Sequence, residues 1–166
     1  KRYEIIDGEL YVSGPNQLRH QAACGVILVA LRRWNDETGI GHAVFAPGLI
    51  FSPYEVVAPD VVWISCERLA LGLDKNGHLR IAPELIVEIL TRGEEHEVRD
   101  RVAKVDLYSR RGIREYWIVN WQERWIEVYR QDEGKLRVVN KLIESDRLES
   151  PLLPGFSCEA ASLFEE

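Results

Sequence analysis

Two carboxylates stand in apolar runs that are typical of buried strands. Asp60 opens the run "PDVVWIS" at 59–65, and Glu88 is the only acid within the apolar run 85–90 of "PELIVEIL". A buried carboxylate without a partner costs several kcal/mol, so it must be paired, protonated or bound to a metal. If the two strands are neighbours, their carboxylates lie close together and need a cation, for which Mg²⁺ is suited. The alternative, that an Arg or backbone N–H groups cap each acid, stays open.

Lys104 is the third candidate, on a helix predicted from about Glu95 to Arg111 and ended by Gly112. At about 100° per residue, the sequence predicts a solvated face with Arg99, Asp106 and Arg110 and a core face with Val98, Val102, Val105 and Tyr108. Lys104 lies away from the solvated face, and its helix follows the Glu88 strand directly, so Lys104 can fold back over that strand. Alternatively, Asp100 and Lys104 form an exposed i,i+4 ion pair.

The remaining elements must position these residues. The sequence predicts a hairpin in "YEIIDGELYV" (3–12), a helix from Leu18 to about Glu37 with Val26, Val29, Ala30 and Leu31 facing inward, and two strands in 42–52. Residues 66–82 are polar, with "DKNGH" marking a loop. A second hairpin over 114–130, a strand over 135–143 and an irregular exit over 150–156 precede a short C-terminal helix. This order favours an α/β fold of the α+β type, with helices flanking a central mixed sheet. We expect one domain over 1–166, with N-terminal and C-terminal β-hairpins.

Composition excludes several classes of protein. The chain has 166 residues and a formal net charge of −6, which argues against binding nucleic acid through bulk positive charge. Its three cysteines are scattered without a metal-binding or paired spacing, as is usual for reduced thiols in the cytoplasm. The longest apolar stretch, 22–31, is too short to span a bilayer. We therefore expect a cytoplasmic protein with no membrane partner and no small-molecule organic cofactor.

Several motifs together resemble a known family. In order, "YEIIDGELYV", "APDVVWI", "PELIVEIL", "RDRVAKVDLYSRRGIREYWIVN" and "PLLPGF…LF" resemble the Uma-two family of the PD-(D/E)XK, or restriction-endonuclease-like, superfamily. The resemblance implies a restriction-endonuclease-like core, with Asp60 as the "PD" acid and Glu88 as the (D/E). The superfamily lysine position is Leu90 here, and Lys104 instead matches the helix lysine of the Uma-two pattern.

The resemblance also implies a function and further site residues. It implies an endonuclease that hydrolyses DNA with Mg²⁺, or Mn²⁺ as a substitute, held by Asp60 and Glu88 and assisted by Lys104. Many relatives carry a Glu on the first helix, but this helix has none before Glu37, and Glu9 is expected as the third acid because it matches the family's hairpin. His20 is either a site group or a surface residue. Tyr108 either supports Lys104 or is a core tyrosine. Arg110, Arg111 and Arg114 form either a contact patch for the DNA backbone or a solvated face at the helix C-terminus.

Two other functions stay open. The first is a catalytically inactive nuclease-fold module that binds nucleic acid or protein, and the second is a structural β-rich domain in which protein partners cap both acids. If the chain cuts both strands of a duplex it needs two active sites, which two-fold symmetry supplies, so we expect a homodimer.

Overall fold

The structure is a computed structural model that describes residues 1–165, with the side chain of Glu94 left undescribed. The strands are β1 Arg2–Ile6, β2 Glu9–Ser13, β3 Gly41–Phe45, β4 Leu49–Ser52, β5 Glu55–Val57, β6 Val61–Ser65, β7 Leu85–Ile89, β8 Glu115–Asn120, β9 Trp125–Asp132, β10 Lys135–Leu142, β11 Arg147–Glu149 and β12 Ser157–Glu159. The helices are α1 Leu18–Thr38, α2 Cys66–Gly72, α3 Glu94–Val98, a π-helical segment Arg99–Ala103, α4 Lys104–Arg110 and a 3₁₀ helix Ala160–Leu163. None of the helices within residues 1–165 is long and apolar enough to cross a membrane.

A six-stranded mixed sheet forms the centre of the fold. Its strand order is β10-β9-β8-β7-β6-β3; β7 and β8 are parallel, and the other neighbouring pairs are antiparallel. Strands β6 and β7 pair with Val61 opposite Val87, and this register places Asp60 opposite Glu88. The predicted mixed sheet, with the strands of the two acids side by side, is therefore confirmed.

The second sheet covers one face of the central sheet. Its order is β2-β1-β5-β4, and Ile6, Leu49 and Val57 from it share a buried core with residues of β6, β7 and α4. The predicted N-terminal hairpin is confirmed, with Asp7 at φ 52° and Gly8 at φ 79° in its turn, as a two-residue turn with both φ angles positive requires. Helix α1 and the C-terminal segment cover the opposite face.

Helix α2 was not predicted from the sequence, and the predicted inward face of α1 is wrong in part. The predicted loop at "DKNGH" is confirmed, but α2 begins before it at Cys66, with the Ser65 side chain accepting a hydrogen bond from the Arg68 backbone N–H. In α1, Val29 is 47% exposed, and Val26 and Ala30 are only partly buried. The buried stripe of α1 consists of His20, Ala23, Cys24, Ile27, Leu31 and Trp34. This stripe has helical spacing. A prediction based on branched apolar residues does not find it, because the stripe includes His20 and Cys24.

The predicted faces of the helix before Gly112 are also wrong in part. Val98 and Val102 are 53% and 62% exposed, whereas Arg99 is buried. The buried side of this helical segment carries charged residues that pair with one another, among them Arg99, Asp100 and Lys104. A pattern of apolar residues therefore does not predict which side is buried. In addition, the π-helical segment Arg99–Ala103 inserts an extra residue between α3 and α4 and breaks the regular period.

Gly41 allows β3 to lie close to β6. A Cβ atom at Gly41 would lie 2.6 Å from the Ile64 carbonyl oxygen and would also overlap the Trp63 ring. We expect Gly41→Ala to lower the free energy of unfolding by about 1–3 kcal/mol through overpacking. Gly25→Ala is the matched control, because nothing lies within 4 Å of a Cβ atom there and alanine favours the helix by up to about 1 kcal/mol. Urea denaturation measures both, and a Gly41→Ala midpoint at or above wild type would contradict the prediction.

Candidate active site

Seven charged side chains meet where the second sheet and the helical segment 94–110 cover the central sheet. We call them the charge cluster, which consists of Arg2, Glu4, Asp60, Glu88, Arg99, Asp100 and Lys104. Six of the seven side chains are at most 3% exposed, and Arg2 is 19% exposed. Charges buried to this degree must satisfy one another, so the cluster is one electrostatic unit.

Three groups hold the Asp60 carboxylate at the start of β6. Arg2 Nη1 donates to Oδ1 at 2.8 Å, and the Ile89 backbone N–H donates to Oδ2 at 2.8 Å. His20 Nε2 lies 3.3 Å from Oδ2 without the geometry of a hydrogen bond. Burial alone would raise the pKa of Asp60, but the contact with His20, the positive charge of Arg2 and the Ile89 hydrogen bond outweigh it and hold that pKa well below its usual range. Asp60 is therefore ionised at neutral pH and fixed in orientation.

Glu88 lies between Lys104 and Tyr108. Lys104 Nζ donates to Glu88 Oε1 at 2.7 Å, and the Tyr108 hydroxyl donates to the same oxygen at 3.2 Å. Burial raises the pKa of Glu88; the positive charge of Lys104 opposes this effect, and the negative charges of Asp60 and Asp100 add to it. Glu88 therefore takes up a proton more readily than Glu4 or Asp60, whose pKa values are lowered, when no further cation is present.

Lys104 has no exposed surface and three carboxylate neighbours. Its Nζ atom lies 2.7 Å from Glu88, 3.1 Å from Glu4 and 3.3 Å from Asp100. Burial would lower the pKa of Lys104, but Glu4, Glu88 and Asp100 outweigh burial and raise it. The lysine is a permanent positive charge at this position.

The charge cluster has more carboxylates than cations. Its four acids, Glu4, Asp60, Glu88 and Asp100, face the three permanent cations Arg2, Arg99 and Lys104. Glu4 Oε1 accepts from the Ala58 backbone N–H and contacts Lys104, whereas Glu4 Oε2 has no hydrogen-bond donor and lies 3.7 Å from Arg2 and 3.9 Å from Arg99. A surplus carboxylate fits the oxygen-ligand chemistry of a hard divalent cation. The prediction that Asp60 and Glu88 are the pair that would hold it stays a prediction.

The comparison with protein families identifies the chain. Residues 1–161 match the model of the Uma2 family, which is described as "Putative restriction endonuclease". The chain belongs to the Uma2 family. Comparison with curated proteins gives no match.

A solved structure supports the fold of this Uma2 chain. It is similar, with a TM-score of 0.77 and 18% identity, to a protein from Anabaena variabilis whose structure is described as "a putative nuclease belonging to DUF820", and the match covers 98% of this chain and 89% of the other. The type IIG restriction endonuclease BpuSI matches at a TM-score of 0.49 and 12% identity, over 93% of this chain and 17% of the enzyme. The predicted family and the restriction-endonuclease-like fold are confirmed.

Most of the residues predicted for the Uma2 site come together, but Glu9 does not. Asp60, Glu88 and Lys104 meet in the charge cluster, and Tyr108 and His20 contact Glu88 and Asp60. Glu9 is exposed on β2 and accepts a hydrogen bond from the Tyr11 hydroxyl at 3.2 Å. The acid that the N-terminal hairpin brings to the cluster is instead Glu4, because strand alternation places Glu4 on the inward side of β1 with Ile6. Glu4 and Ile6 are two positions apart in a predicted strand, and this spacing could have predicted that Glu4 faces inward.

The predicted arginine patch lies outside the charge cluster. Arg110 pairs with Asp7, Asp106 and Glu55, and Arg111 pairs with Glu55. The guanidinium of Arg111 also stacks over the Phe51 ring at 5.3 Å. These two residues join the end of α4 to the second sheet, and Arg114 is exposed nearby. The structure thus shows a mainly structural setting for Arg110 and Arg111.

Proposed function

We propose that this protein is a Mg²⁺-dependent endonuclease that hydrolyses phosphodiester bonds in DNA. The observation that supports this proposal best is the charge cluster, in which Asp60 and Glu88 lie opposite each other with one carboxylate in surplus and a fixed lysine beside them. Membership of a family described as "Putative restriction endonuclease" points to the same chemistry and to DNA as the substrate. When bound, Mg²⁺ would supply Lewis-acid stabilisation of the reacting phosphate, and Mn²⁺ would serve as a substitute.

The chain's own residues prepare the site in distinct ways. His20, Arg2 and the Ile89 backbone N–H fix the orientation of Asp60. Tyr108 and Lys104 fix Glu88 Oε1. Lys104 also brings a positive charge to the place where negative charge develops on the phosphate, and its burial keeps water from screening that charge.

Arg2 stands at the most open side of the charge cluster. Its guanidinium donates to Asp60 Oδ1 at 2.8 Å and to the Ala58 carbonyl oxygen at 3.2 Å. A cation that binds Asp60 must share this carboxylate with Arg2 or displace it. We infer that metal and DNA approach from the Arg2 side, and that Arg2 then becomes free to contact a backbone phosphate.

A plasmid-cleavage assay with Mg²⁺ tests the proposed activity. Wild type should convert supercoiled DNA to nicked or linear forms, and Asp60→Asn should reduce cleavage to background, because the amide does not replace the carboxylate as a metal ligand. Glu9→Gln is the matched control and should cleave like wild type, since Glu9 is exposed and outside the cluster. Cleavage by Asp60→Asn at the wild-type rate, or by wild type in excess chelator, would contradict the proposal.

A second candidate function is a nuclease-fold module without catalysis. The observation that favours it is the engagement of Asp60 by Arg2, Ile89 and His20, which satisfies this carboxylate without a metal. Such a module would bind DNA without Mg²⁺-dependent cleavage in the same assay. For the active enzyme we also propose a homodimer, which sedimentation at micromolar concentration can test, because duplex cleavage requires two sites.

A further inference from the structure

We propose that His20, Cys24 and Asp60 form a second metal site, which takes a thiolate-binding divalent cation such as Zn²⁺. Each of the three residues offers one ligand atom, and these atoms all lie within 4.8 Å of one another. The site goes beyond the proposed nuclease function, because it uses a cysteine and a histidine that Mg²⁺ does not favour as ligands.

The spacing of the donors suits tetrahedral coordination. His20 Nε2 and Asp60 Oδ2 lie 3.3 Å apart. Zinc–nitrogen and zinc–oxygen bonds of about 2.0 Å at a tetrahedral angle place the two donor atoms about 3.3 Å apart. Cys24, one turn after His20 on α1, supplies the third donor, and a water molecule can complete the four ligands.

The His20 imidazole has an unsatisfied nitrogen at this position. The residue is 1% exposed, and its Nε2 atom is buried without a hydrogen-bond partner, although Asp60 Oδ2 lies 3.3 Å away. A buried ring nitrogen that faces a carboxylate without a hydrogen bond is costly unless another group satisfies it. A metal ion bound by His20 Nε2 and Asp60 would satisfy this nitrogen.

The local charge also favours a divalent cation. The charge cluster already has one carboxylate more than its permanent cations. On metal binding, the Cys24 S–H bond breaks, the proton goes to solvent, and the thiolate sulfur binds the metal. The surplus then becomes two negative charges, which one Zn²⁺ neutralises. Because Asp60 belongs to both sites, Zn²⁺ would compete with Mg²⁺ there.

Titration of metal-free protein with Co²⁺, a spectroscopic substitute for Zn²⁺, tests the site directly. We expect about one equivalent to produce a thiolate-to-cobalt charge-transfer band in the near ultraviolet, which added Zn²⁺ removes. Cys24→Ser should abolish the band. Cys66→Ser is the matched control and should keep it, although Cys66 Sγ lies 3.6 Å from His42 Nε2 and is the competing thiol–imidazole pair.

The outcomes separate this site from the proposed Mg²⁺ site. Glu88→Gln should keep the cobalt band while losing the response to Mg²⁺, so one site can fail without the other. A band that survives in Cys24→Ser, a band lost in Cys66→Ser, or no band in wild type would overturn the inference. If Cys24→Ser does not show the wild-type circular dichroism spectrum, Cys24→Ala and His20→Asn replace it and should lose the band for the same reason.

Discussion

Replacing Lys104 with Met is expected to lower the free energy of unfolding by about 3–5 kcal/mol in the absence of metal. Methionine keeps most of the length of the lysine side chain but removes its charge. Four buried carboxylates would then face only Arg2 and Arg99, and Glu4, Glu88 and Asp100 would lose a shared partner. Urea denaturation at neutral pH measures the loss, and Mg²⁺ should recover part of it by supplying positive charge to the same carboxylates.

Lys135→Met is the matched control for this change. Lys135 is exposed on β10 and outside the charge cluster, so its replacement should alter stability by no more than about 0.5 kcal/mol. A Lys104→Met variant within about 1 kcal/mol of wild type would contradict the prediction, since breaking a buried pair normally costs far more. Such a result would mean that water reaches the carboxylates and screens them.

Glu88→Gln should have little effect on stability without metal and a large effect on metal binding. The change leaves Glu4, Asp60 and Asp100 facing Arg2, Arg99 and Lys104, so acids and permanent cations become equal in number. We expect the metal-free free energy of unfolding to stay within about 1 kcal/mol of wild type, because the group removed is the surplus acid whose pKa burial raises. The thermal shift with Mg²⁺ and any DNA cleavage should disappear.

Glu84→Gln is the control for Glu88→Gln. Glu84 is also buried and directly precedes β7, the strand that carries Glu88. It accepts a hydrogen bond from the Ser65 backbone N–H and lies outside the charge cluster. It should keep the wild-type response to Mg²⁺. The double variant Lys104→Met with Glu88→Gln should lose less stability than Lys104→Met alone, because one repelling carboxylate is gone. A badly destabilised Glu88→Gln variant, together with a wild-type melt that ignores Mg²⁺, would end the metal-site hypothesis.

The sequence was sufficient for the features that short-range patterns encode. Alternating residues around Asp7-Gly8 predicted the first hairpin, and the apolar runs around Asp60 and Glu88 predicted two neighbouring buried strands. An acid inside an apolar run stands out because solvation disfavours it there. The sequence therefore predicted that Asp60 and Glu88 lie close together, and the family pattern added Lys104 to them.

The rest of the charge cluster was not predictable in the same way. The sequence predicted no role for Arg2 or Glu4. It placed Arg99 on the solvated face of the helix and indicated Asp100 only as half of an exposed i,i+4 pair with Lys104. Each is buried because its partners come from distant parts of the chain, as in the 3.1 Å contact between Glu4 and Lys104. Such compensation is a property of the assembled fold, so a scale that scores residues one at a time misses it.

The extra residue in the π-helical segment Arg99–Ala103 has a consequence for comparing this chain with its relatives. A regular α-helix over the same height would have one residue fewer, and the part after the segment would be turned by about 100° relative to the part before it. A gapless alignment with a relative that lacks the bulge would therefore match Lys104 with a residue on the wrong side of the helix. An alignment that shows no lysine at this position is therefore evidence that the relative lacks the lysine only after a gap of one residue has been tried.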